Sequence, residues 1–242
     1  MLTLLALPLF ITFEGLDGSG KTTQLKRLSE ALTQENIQHI CTREPGGEPF
    51  AEAMRDLLLH HPASRSISPY TQALCMTAAR IEHVKNTIQP ARQAGKWVLC
   101  DRFTDSTTAY QGYGAGVEHD FLKKLHKRVG CSPDVTFVLQ VPPEQAIKRI
   151  AQRTAKPSNG ATVNHLDTQT LAFYQRANEG FIAMTGRRYL HIDGTQDEEV
   201  VARDIAEKLK NHLGTKHLKE WGKTQKASRR TRHPAGQKSG GP

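Results

Sequence analysis

A glycine-rich stretch near the start of the chain has the residue types and spacing of a loop that binds a polyphosphate. Residues 13–25 are FEGLDGSGKTTQL, and residues 15–22 fit the pattern G-x-x-x-x-G-K-[S/T]. Glycines let backbone N–H groups converge on phosphate oxygens, while the lysine neutralises the β- and γ-phosphates and the hydroxyl binds Mg²⁺. We therefore predict a purine nucleoside triphosphate site. Its predicted residues are Gly15, Leu16, Asp17, Gly18, Ser19, Gly20, Lys21, Thr22 and Thr23.

Three uses of such a loop are open: a GTPase-type switch, a motor-like ATPase, or a kinase for a small acceptor. A GTPase would want a base-recognition element N-K-x-D, and the sequence has none. Motors usually require much larger chains or rings. The kinase hypothesis requires a second, arginine-rich site for a phosphorylated acceptor.

Three further stretches supply candidates for that second site. They are TREPGGEPFAEAMRDLLL (42–59), ALCMTAARIEH (73–83) and CDRFTDSTTAYQGYGAG (100–116). The guanidinium groups of Arg55, Arg80 and Arg102 are planar donors that can bind a phosphate or a base through two hydrogen bonds. Asp101 ends an apolar run, where its carboxylate can hold Mg²⁺ or the waters of that ion near the triphosphate.

Together with the phosphate loop, these stretches closely resemble the thymidylate kinase family. The order and spacing match from about Phe10 to Gly116, and a weaker match extends to about Phe181. The resemblance implies the reaction ATP + dTMP ⇌ ADP + dTDP with Mg²⁺, usually in a homodimer. It also implies the nucleoside-monophosphate-kinase type of P-loop α/β fold, with a flexible lid.

The resemblance also implies roles for individual residues. The arginines that match Arg55 and Arg102 bind the acceptor phosphate, and the one that matches Arg80 contacts the pyrimidine. The tyrosine that matches Tyr110 packs beneath the deoxyribose, and carboxylates matching Asp17 and Glu44 lie between the two phosphate sites. The implied dTMP site consists of Glu44, Arg55, Met76, Arg80, Arg102, Ser106, Tyr110 and Gln111. The implied catalytic set is Lys21, Arg102, Arg149, Arg153 and Asp17, with Thr22 and Asp101 as metal ligands.

Three positions depart from the family pattern. Met76 stands where a phenylalanine commonly stacks on thymine, and Gly18 stands where some members place an arginine. The missing charge at Gly18 would then come from lid arginines, Arg149 or Arg153. Residues 166–170, LDTQT, replace the Arg and Glu of a D-R-x-E segment with threonines. Two alternatives follow: a kinase for another pyrimidine monophosphate, or a degenerate relative that binds nucleotide with little turnover.

The elements that must position these residues follow from the apolar pattern. Near-continuous apolar runs predict five strands, and leucine spacing predicts helices between them, so we expect an α/β fold with a five-stranded parallel sheet flanked by helices in three layers. The predicted strands are Pro8–Glu14, Ile37–Arg43, Lys96–Asp101, Asp134–Val141 and Arg188–Asp193. We assign residues 1–214 to one kinase domain, with a lid at about 149–167.

Composition restricts the partners and the compartment. Residues 215–242 hold eight of the 33 basic residues and one of the 24 acidic ones, so this tail accounts for most of the net charge of +9. Its polar, glycine-rich composition predicts disorder, and without interleaved aromatic residues we expect no nucleic-acid partner. The apolar start of the chain lacks a basic region and a cleavage site, and no stretch is long enough to span a bilayer. Four widely spaced cysteines suggest buried thiols, and we expect a cytoplasmic protein.

Overall fold

The computed structural model describes residues 8–155 and 169–230. Within these ranges, parallel strands form one sheet, and each predicted strand is present with bounds shorter by one or two residues at its ends. The strands β1 to β5 are Phe10–Glu14, His39–Arg43, Trp97–Asp101, Val135–Gln140 and Tyr189–Asp193. The helices α1 to α9 are Lys21–Gln34, Pro49–Leu59, Pro69–His83, Gln89–Gln93, Thr104–Thr107, His119–Val129, Pro143–Ala155, Leu171–Ile182 and Glu198–Arg230. A 3-10 helix, Pro62–Ser66, and two π-helical turns, Val84–Ile88 and Thr108–Gly114, complete the assignment.

The sheet has the strand order β2-β3-β1-β4-β5, with β1 at its centre. Asp101 of β3 lies in register with Arg43 of β2 and with Phe13 of β1. Because all strands run parallel, their carboxyl ends meet at one edge, where the loops after β1, β2 and β3 converge. That edge carries the three stretches singled out in the sequence together with the phosphate loop.

Both faces of the sheet are covered by helices, which confirms the predicted three-layer α/β architecture. On one face, the leucines of α1 and the aliphatic residues of α9 pack against Ile11 and Phe13 of β1. On the other face, Phe10 packs with Val84 and Phe103, while α7 and α8 pack with Tyr110. Alternation along β1 therefore directs Glu14 towards the second face, where the chain following β3 lies.

The disordered tail predicted for residues 215–242 stays a prediction. The backbone of α9 continues to Arg230, so the boundary expected at residue 214 falls within a helix. Residues 1–7 and 231–242 lie outside the described residues, as do residues 156–168 of the predicted lid.

Two further expectations concern cysteines and membranes. All four cysteines are free thiols, but Cys100 alone is buried, whereas Cys41 is exposed. The expectation of buried thiols was therefore correct for Cys100 and wrong for Cys41, whose side chain leaves the short β2 strand at the sheet edge. In the described part of the chain, no helix combines the length and the apolar character needed to cross a membrane.

Candidate active site

The phosphate loop joins β1 to α1 in the context that the sequence predicted. Gly18 has a φ of +81°, and a Cβ atom placed there would lie 2.6 Å from the backbone oxygen of Ala146 in α7. This distance is well below any normal contact, and the positive φ adds strain for a residue with a side chain. An arginine at this position is therefore excluded by the packing of α7 against the loop.

Lys21 begins α1 and is only 5% exposed. Its Nζ atom donates a hydrogen bond of 2.7 Å to the backbone oxygen of Leu16 and lies 3.5 Å from Oγ of Ser19. Burial, and then the charge of Arg102, lowers the pKa of Lys21 to about 8. Bound phosphate would counter both effects, because its negative charge favours the ammonium form.

A wide groove runs along the phosphate loop, and we call it the donor groove. It reaches from the loop to α7 and to the ends of β2 and β3. At its base, the hydroxyl of Thr22 donates a hydrogen bond of 2.5 Å to Oδ2 of Asp101. The two residues predicted to bind a metal are therefore neighbours, each supplying an oxygen. Among the described residues, no group of three or more His, Cys, Asp or Glu side chains is arranged to hold a metal ion.

A second, smaller space opens beside the phosphate loop, and we call it the acceptor cavity. Every residue of the predicted dTMP site lines it, although these residues come from three separate stretches of the chain. They are Glu44, Arg55, Met76, Arg80, Arg102, Ser106, Tyr110 and Gln111. The sequence did not single out four other lining residues. These are Pro45, Leu59, Phe103 and Thr107, all of which lie within the quoted stretches.

Four residues line both the donor groove and the acceptor cavity: Asp17, Glu44, Arg55 and Arg102. They mark the place where the two spaces meet. Two are the carboxylates expected between the phosphate sites, and two are the arginines expected at the acceptor phosphate. The guanidinium of Arg55 is oriented by a hydrogen bond of 2.8 Å from Nη1 to the backbone oxygen of Pro45.

Arg102 is the centre of the contacts at this junction. Its Nη2 atom forms an ion pair of 2.7 Å with Oδ1 of Asp17, and Nη1 donates to Oγ of Ser106 at 2.9 Å. The hydroxyl of Tyr110 donates to Oδ2 of Asp17 at 3.0 Å, and the ring of Tyr110 lies 5.2 Å from the Arg102 guanidinium carbon. Burial would raise the pKa of Asp17, but the charges of Arg102 and Lys21 outweigh it and hold that pKa well below its usual range.

Ser106 thus contacts Arg102, and Tyr110 contacts both Asp17 and Arg102. The sequence did not reveal these contacts. The hydroxyl of Ser106 also donates to Oε2 of Glu14 at 2.6 Å. Glu14 accepts a further hydrogen bond of 2.7 Å from the backbone N–H of Phe103. Burial, followed by the nearby charge of Asp105, raises the pKa of Glu14 to about 7. The position of Glu14 directly before the first glycine of the loop was the one signal that could have found it.

Glu44 and Arg80 form a buried ion pair in the wall of the acceptor cavity. Each side chain is 3% exposed, and Arg80 Nε lies 2.5 Å from Glu44 Oε2. Nη2 of Arg80 also donates to the backbone oxygen of Phe103 and to the hydroxyl of Thr107. Glu44 is therefore engaged with protein partners, in addition to facing the junction of the two phosphate sites.

Arg149 and Arg153 lie on α7, four residues apart, and both line the donor groove. Nη1 of Arg149 donates to the backbone oxygens of Gly18 at 3.3 Å and Gly194 at 3.0 Å. The structure thus brings one predicted lid arginine against the loop position that cannot carry a side chain. Thr170, which replaces an expected glutamate, is the N-cap of α8 and accepts a hydrogen bond from Phe173 N.

A third space lies on the other side of the loop and was missed in the sequence. It extends from Ser19 and Thr23 to the turn after β5, residues 194–198. Gly20, Thr23 and Arg149 line both this space and the donor groove, so the two spaces adjoin along these residues. The turn carries no recognisable motif, since the residues TQDE are common in any exposed loop.

Comparison with known proteins places these features in one family. The family model described as thymidylate kinase matches residues 13–205. A thymidylate kinase of Pelotomaculum thermopropionicum is 40% identical over 201 residues, which are 81% of this chain and 90% of that protein. That of Thermomicrobium roseum is 43% identical over 198 residues, covering 80% and 90%. The crystal structure of thymidylate kinase from Ehrlichia chaffeensis has a TM-score of 0.65 and 32% identity, covering 85% of this chain and 99% of that one.

Proposed function

Since the chain belongs to the thymidylate kinase family, we propose that it transfers the γ-phosphoryl group of ATP to dTMP and releases ADP and dTDP. The observation that carries this proposal is the junction at which Asp17, Glu44, Arg55 and Arg102 line both spaces. An acceptor phosphate in the cavity and the γ-phosphate of a nucleotide in the groove would meet at this junction. The junction holds two guanidinium groups, which suit the charge of an acceptor phosphate.

The reaction at this junction requires positioning and charge neutralisation. The attacking oxygen belongs to a phosphate that is already ionised at neutral pH, so a general base is not needed. We assign Lys21 to the transferring phosphates and Arg102 to the acceptor phosphate. Asp17 keeps the Arg102 guanidinium oriented through their 2.7 Å ion pair. Charges that are fixed in place before the reaction stabilise the charge that develops in the transition state.

We assign the nucleoside part of ATP to the third space, between the phosphate loop and residues 194–198. Its wall contains Thr23 of α1 and Asp197, and it lies next to the loop that would hold the triphosphate. Arg149 lies between this space and the donor groove, so its guanidinium can contact the nucleotide there. The acceptor cavity on the opposite side of the loop is then left for dTMP.

Mg²⁺ fits the donor groove beside Thr22 and Asp101. The hydroxyl and the carboxylate are 2.5 Å apart at the base of the groove, and Mg²⁺ is commonly held by one or two protein oxygens together with waters and phosphates. When bound, the ion would neutralise charge on the triphosphate. Thr22 follows Lys21 in the first turn of α1, so this metal site would lie beside the lysine assigned to the phosphates.

We assign Arg149 and Arg153 to the charge that develops on the transferring group. Gly18 cannot contribute a side chain, because Ala146 occupies the adjacent space. Arg149 already touches the backbone of Gly18, and Arg153 lies one helical turn further along α7. Together they replace the loop arginine found in other members of the family.

We further propose a homodimer formed through α2 and α3, and a cytoplasmic location. Leu74 and Ile81 lie seven residues apart on α3 and are 49% and 38% exposed, and Leu57 of α2 is 42% exposed. A second copy of the chain would cover such an apolar face. Light scattering after size exclusion should give twice the chain mass, and Leu74→Glu should give the monomer. A monomeric wild type would contradict the dimer.

A panel of nucleoside monophosphates tests the function directly. With ATP and Mg²⁺, the purified protein should form dTDP at least about tenfold faster than it phosphorylates dUMP, dCMP or UMP, as expected when a methyl group fills a cavity. Chromatography of the products measures all four rates. Faster turnover of another monophosphate would favour the alternative pyrimidine kinase. ATP binding without turnover of any acceptor would overturn the kinase assignment.

A further inference from the structure

Behind the wall of the acceptor cavity lies a buried histidine that neither the family pattern nor the proposed mechanism uses. His83 is the last residue of α3 and is 0% exposed. Its Nδ1 atom lies 2.9 Å from Oε1 of Glu44, and its Nε2 atom lies 2.7 Å from the hydroxyl of Thr42. Both ring nitrogens therefore have partners, and the ring connects β2 to the Glu44–Arg80 pair.

The hydrogen-bond directions follow from the chemistry of the partners. A carboxylate paired with an arginine can only accept, so Nδ1 of His83 carries a proton and donates to Glu44. In the neutral ring, Nε2 then accepts from the hydroxyl of Thr42. The resulting chain of contacts runs from Thr42 through His83 to Glu44, and from Glu44 Oε2 to Nε of Arg80 at 2.5 Å.

Two of the three guanidinium nitrogens of Arg80 have hydrogen-bond partners in the protein. Nε binds Glu44, and Nη2 binds the backbone oxygen of Phe103 at 3.1 Å and the hydroxyl of Thr107 at 3.2 Å. Among the described residues, Nη1 of Arg80 is buried without a hydrogen-bond partner. Arg80 lines the acceptor cavity, and Nη1 carries the N–H groups of its guanidinium that no described protein group accepts.

The loop after β2 encloses the histidine from the other side. A Cβ atom at Gly47 would lie 2.3 Å from the Thr42 hydroxyl and 2.5 Å from His83 Nε2. The backbone of Gly47 therefore packs against this hydrogen bond and leaves no room for a side chain. The backbone oxygen of Gly47 accepts a hydrogen bond of 3.0 Å from Thr87 in the π-helical turn that follows α3. The imidazole is thereby confined to one orientation.

We propose that His83 is a positioning residue for nucleobase recognition, which holds Glu44 so that Arg80 directs Nη1 at the acceptor base. The proposal rests on the proposed function, because it takes the ligand of the acceptor cavity to be dTMP. A guanidinium has donors only, so it favours a carbonyl on the base over an amino group. His83 thus contributes to the preference for thymine over cytosine without touching either base.

The test uses two substitutions that separate the two ring nitrogens. In His83→Asn, the amide nitrogen can take the place of Nδ1 and still donate to Glu44. In His83→Gln, the longer amide can take the place of Nε2 and bind Thr42, which leaves Glu44 without its donor. Both variants lose the ring, so they form a matched pair with a comparable loss of packing.

We expect His83→Gln to raise KM for dTMP about tenfold and to lower the preference for dTMP over dCMP by a similar factor, the size expected for one hydrogen bond to a charged group. His83→Asn should keep both values within about twofold of the wild type, and kcat and KM for ATP should change little in either variant. In an Arg80→Lys background, which lacks Nη1, His83→Gln should no longer change KM for dTMP.

Equal KM values for dTMP in the two variants, or an equal rise in KM for ATP, would overturn the proposal. If both variants fail to fold, nitrogen-15 resonance spectroscopy of the wild type provides the decision, because the proposal requires a proton on Nδ1 of His83. A ring that carries its proton on Nε2 alone would then overturn the positioning role. A wild type without dTMP turnover would instead contradict the proposed function itself.

Discussion

The acceptor cavity and the donor groove differ in the groups that form their walls. Arg80, Tyr110 and Gln111 in the acceptor cavity are buried, and each is held by another side chain or by the backbone. The donor groove instead follows the backbone of the phosphate loop, and Thr22 and Arg153 on its walls are exposed. A triphosphate can be held by backbone N–H groups whatever nucleoside it carries, whereas choosing one base requires fixed side chains. Selectivity should therefore reside in the acceptor cavity, and phosphoryl transfer in the groove.

The largest effect is expected from removing the buried cation of the donor groove. Lys21→Met should lower kcat at least about 10³-fold, because Lys21 is the buried lysine of the phosphate loop and neutralises the β- and γ-phosphates. Steady-state assays measure the loss, and circular dichroism should show the fold intact. Lys123→Met, at a side chain that is 76% exposed on α6, is the matched control. Undiminished turnover in Lys21→Met would refute the assigned role.

The next effect tests whether α7 supplies the charge that Gly18 lacks. Arg149→Gln and Arg153→Gln should each lower kcat about 10²-fold, with a smaller change in KM for dTMP, because they act on the transferring group. Lys148→Gln, an exposed residue of the same helix, should retain wild-type kcat. A rise in KM for dTMP with unchanged kcat would place these arginines at the acceptor. It would then contradict the division of roles between the groove and the cavity.

A third prediction concerns pH and compares the two carboxylates of the loop. Burial raises the pKa of Glu14 from 4.5 to about 7, so the folded state holds a proton that the unfolded state releases above its lower pKa. The resulting stability is present below pH 4.5 and is lost as pH rises towards 7, by about 3 kcal/mol. Denaturant unfolding of wild type and Glu14→Gln from pH 4.5 to 8 should show their difference changing by that amount.

The sign for Asp17 is the reverse of that for Glu14. Its lowered pKa means that its contribution to stability is present above the ordinary carboxyl pKa and is lost as pH falls below it. Wild type and Asp17→Asn should therefore diverge in acid, whereas wild type and Glu14→Gln diverge towards neutrality. A pH-independent difference for either pair would contradict the corresponding shift.

The smallest effect is expected from restoring an aromatic side chain in the acceptor cavity. Met76→Phe should lower KM for dTMP about two- to tenfold, since stacking of aromatic rings contributes about 0.5–1.5 kcal/mol. KM for ATP should stay the same, because Met76 lines the acceptor cavity and not the groove. Met54→Phe, on α2 outside the residues that line that cavity, is the control. No change in KM for dTMP would place Met76 away from the base.

Local pattern was enough to predict the strands and the phosphate loop. Strands β1, β3 and β4 are short apolar runs buried on both faces, so their composition alone indicates a buried parallel sheet. The phosphate loop was equally predictable, because its chemistry depends on residues within one continuous stretch. The acceptor residues were identified through the order of three stretches and a resemblance to a family, since no local rule connects Arg55 to Arg102.

The sequence by itself determined which residue types are present at the carboxyl edge of the sheet, and hence the fold class, the phosphate loop and the candidate dTMP site. Only the tertiary structure decided which of these residues are bound to one another. Glu14 meets Phe103 across 89 positions of sequence, and Glu44 meets His83 across 39. The exclusion of a side chain at Gly18 likewise depends on where α7 packs. Such contacts depend on three-dimensional packing between distant segments, and spacing along the chain carries no record of them.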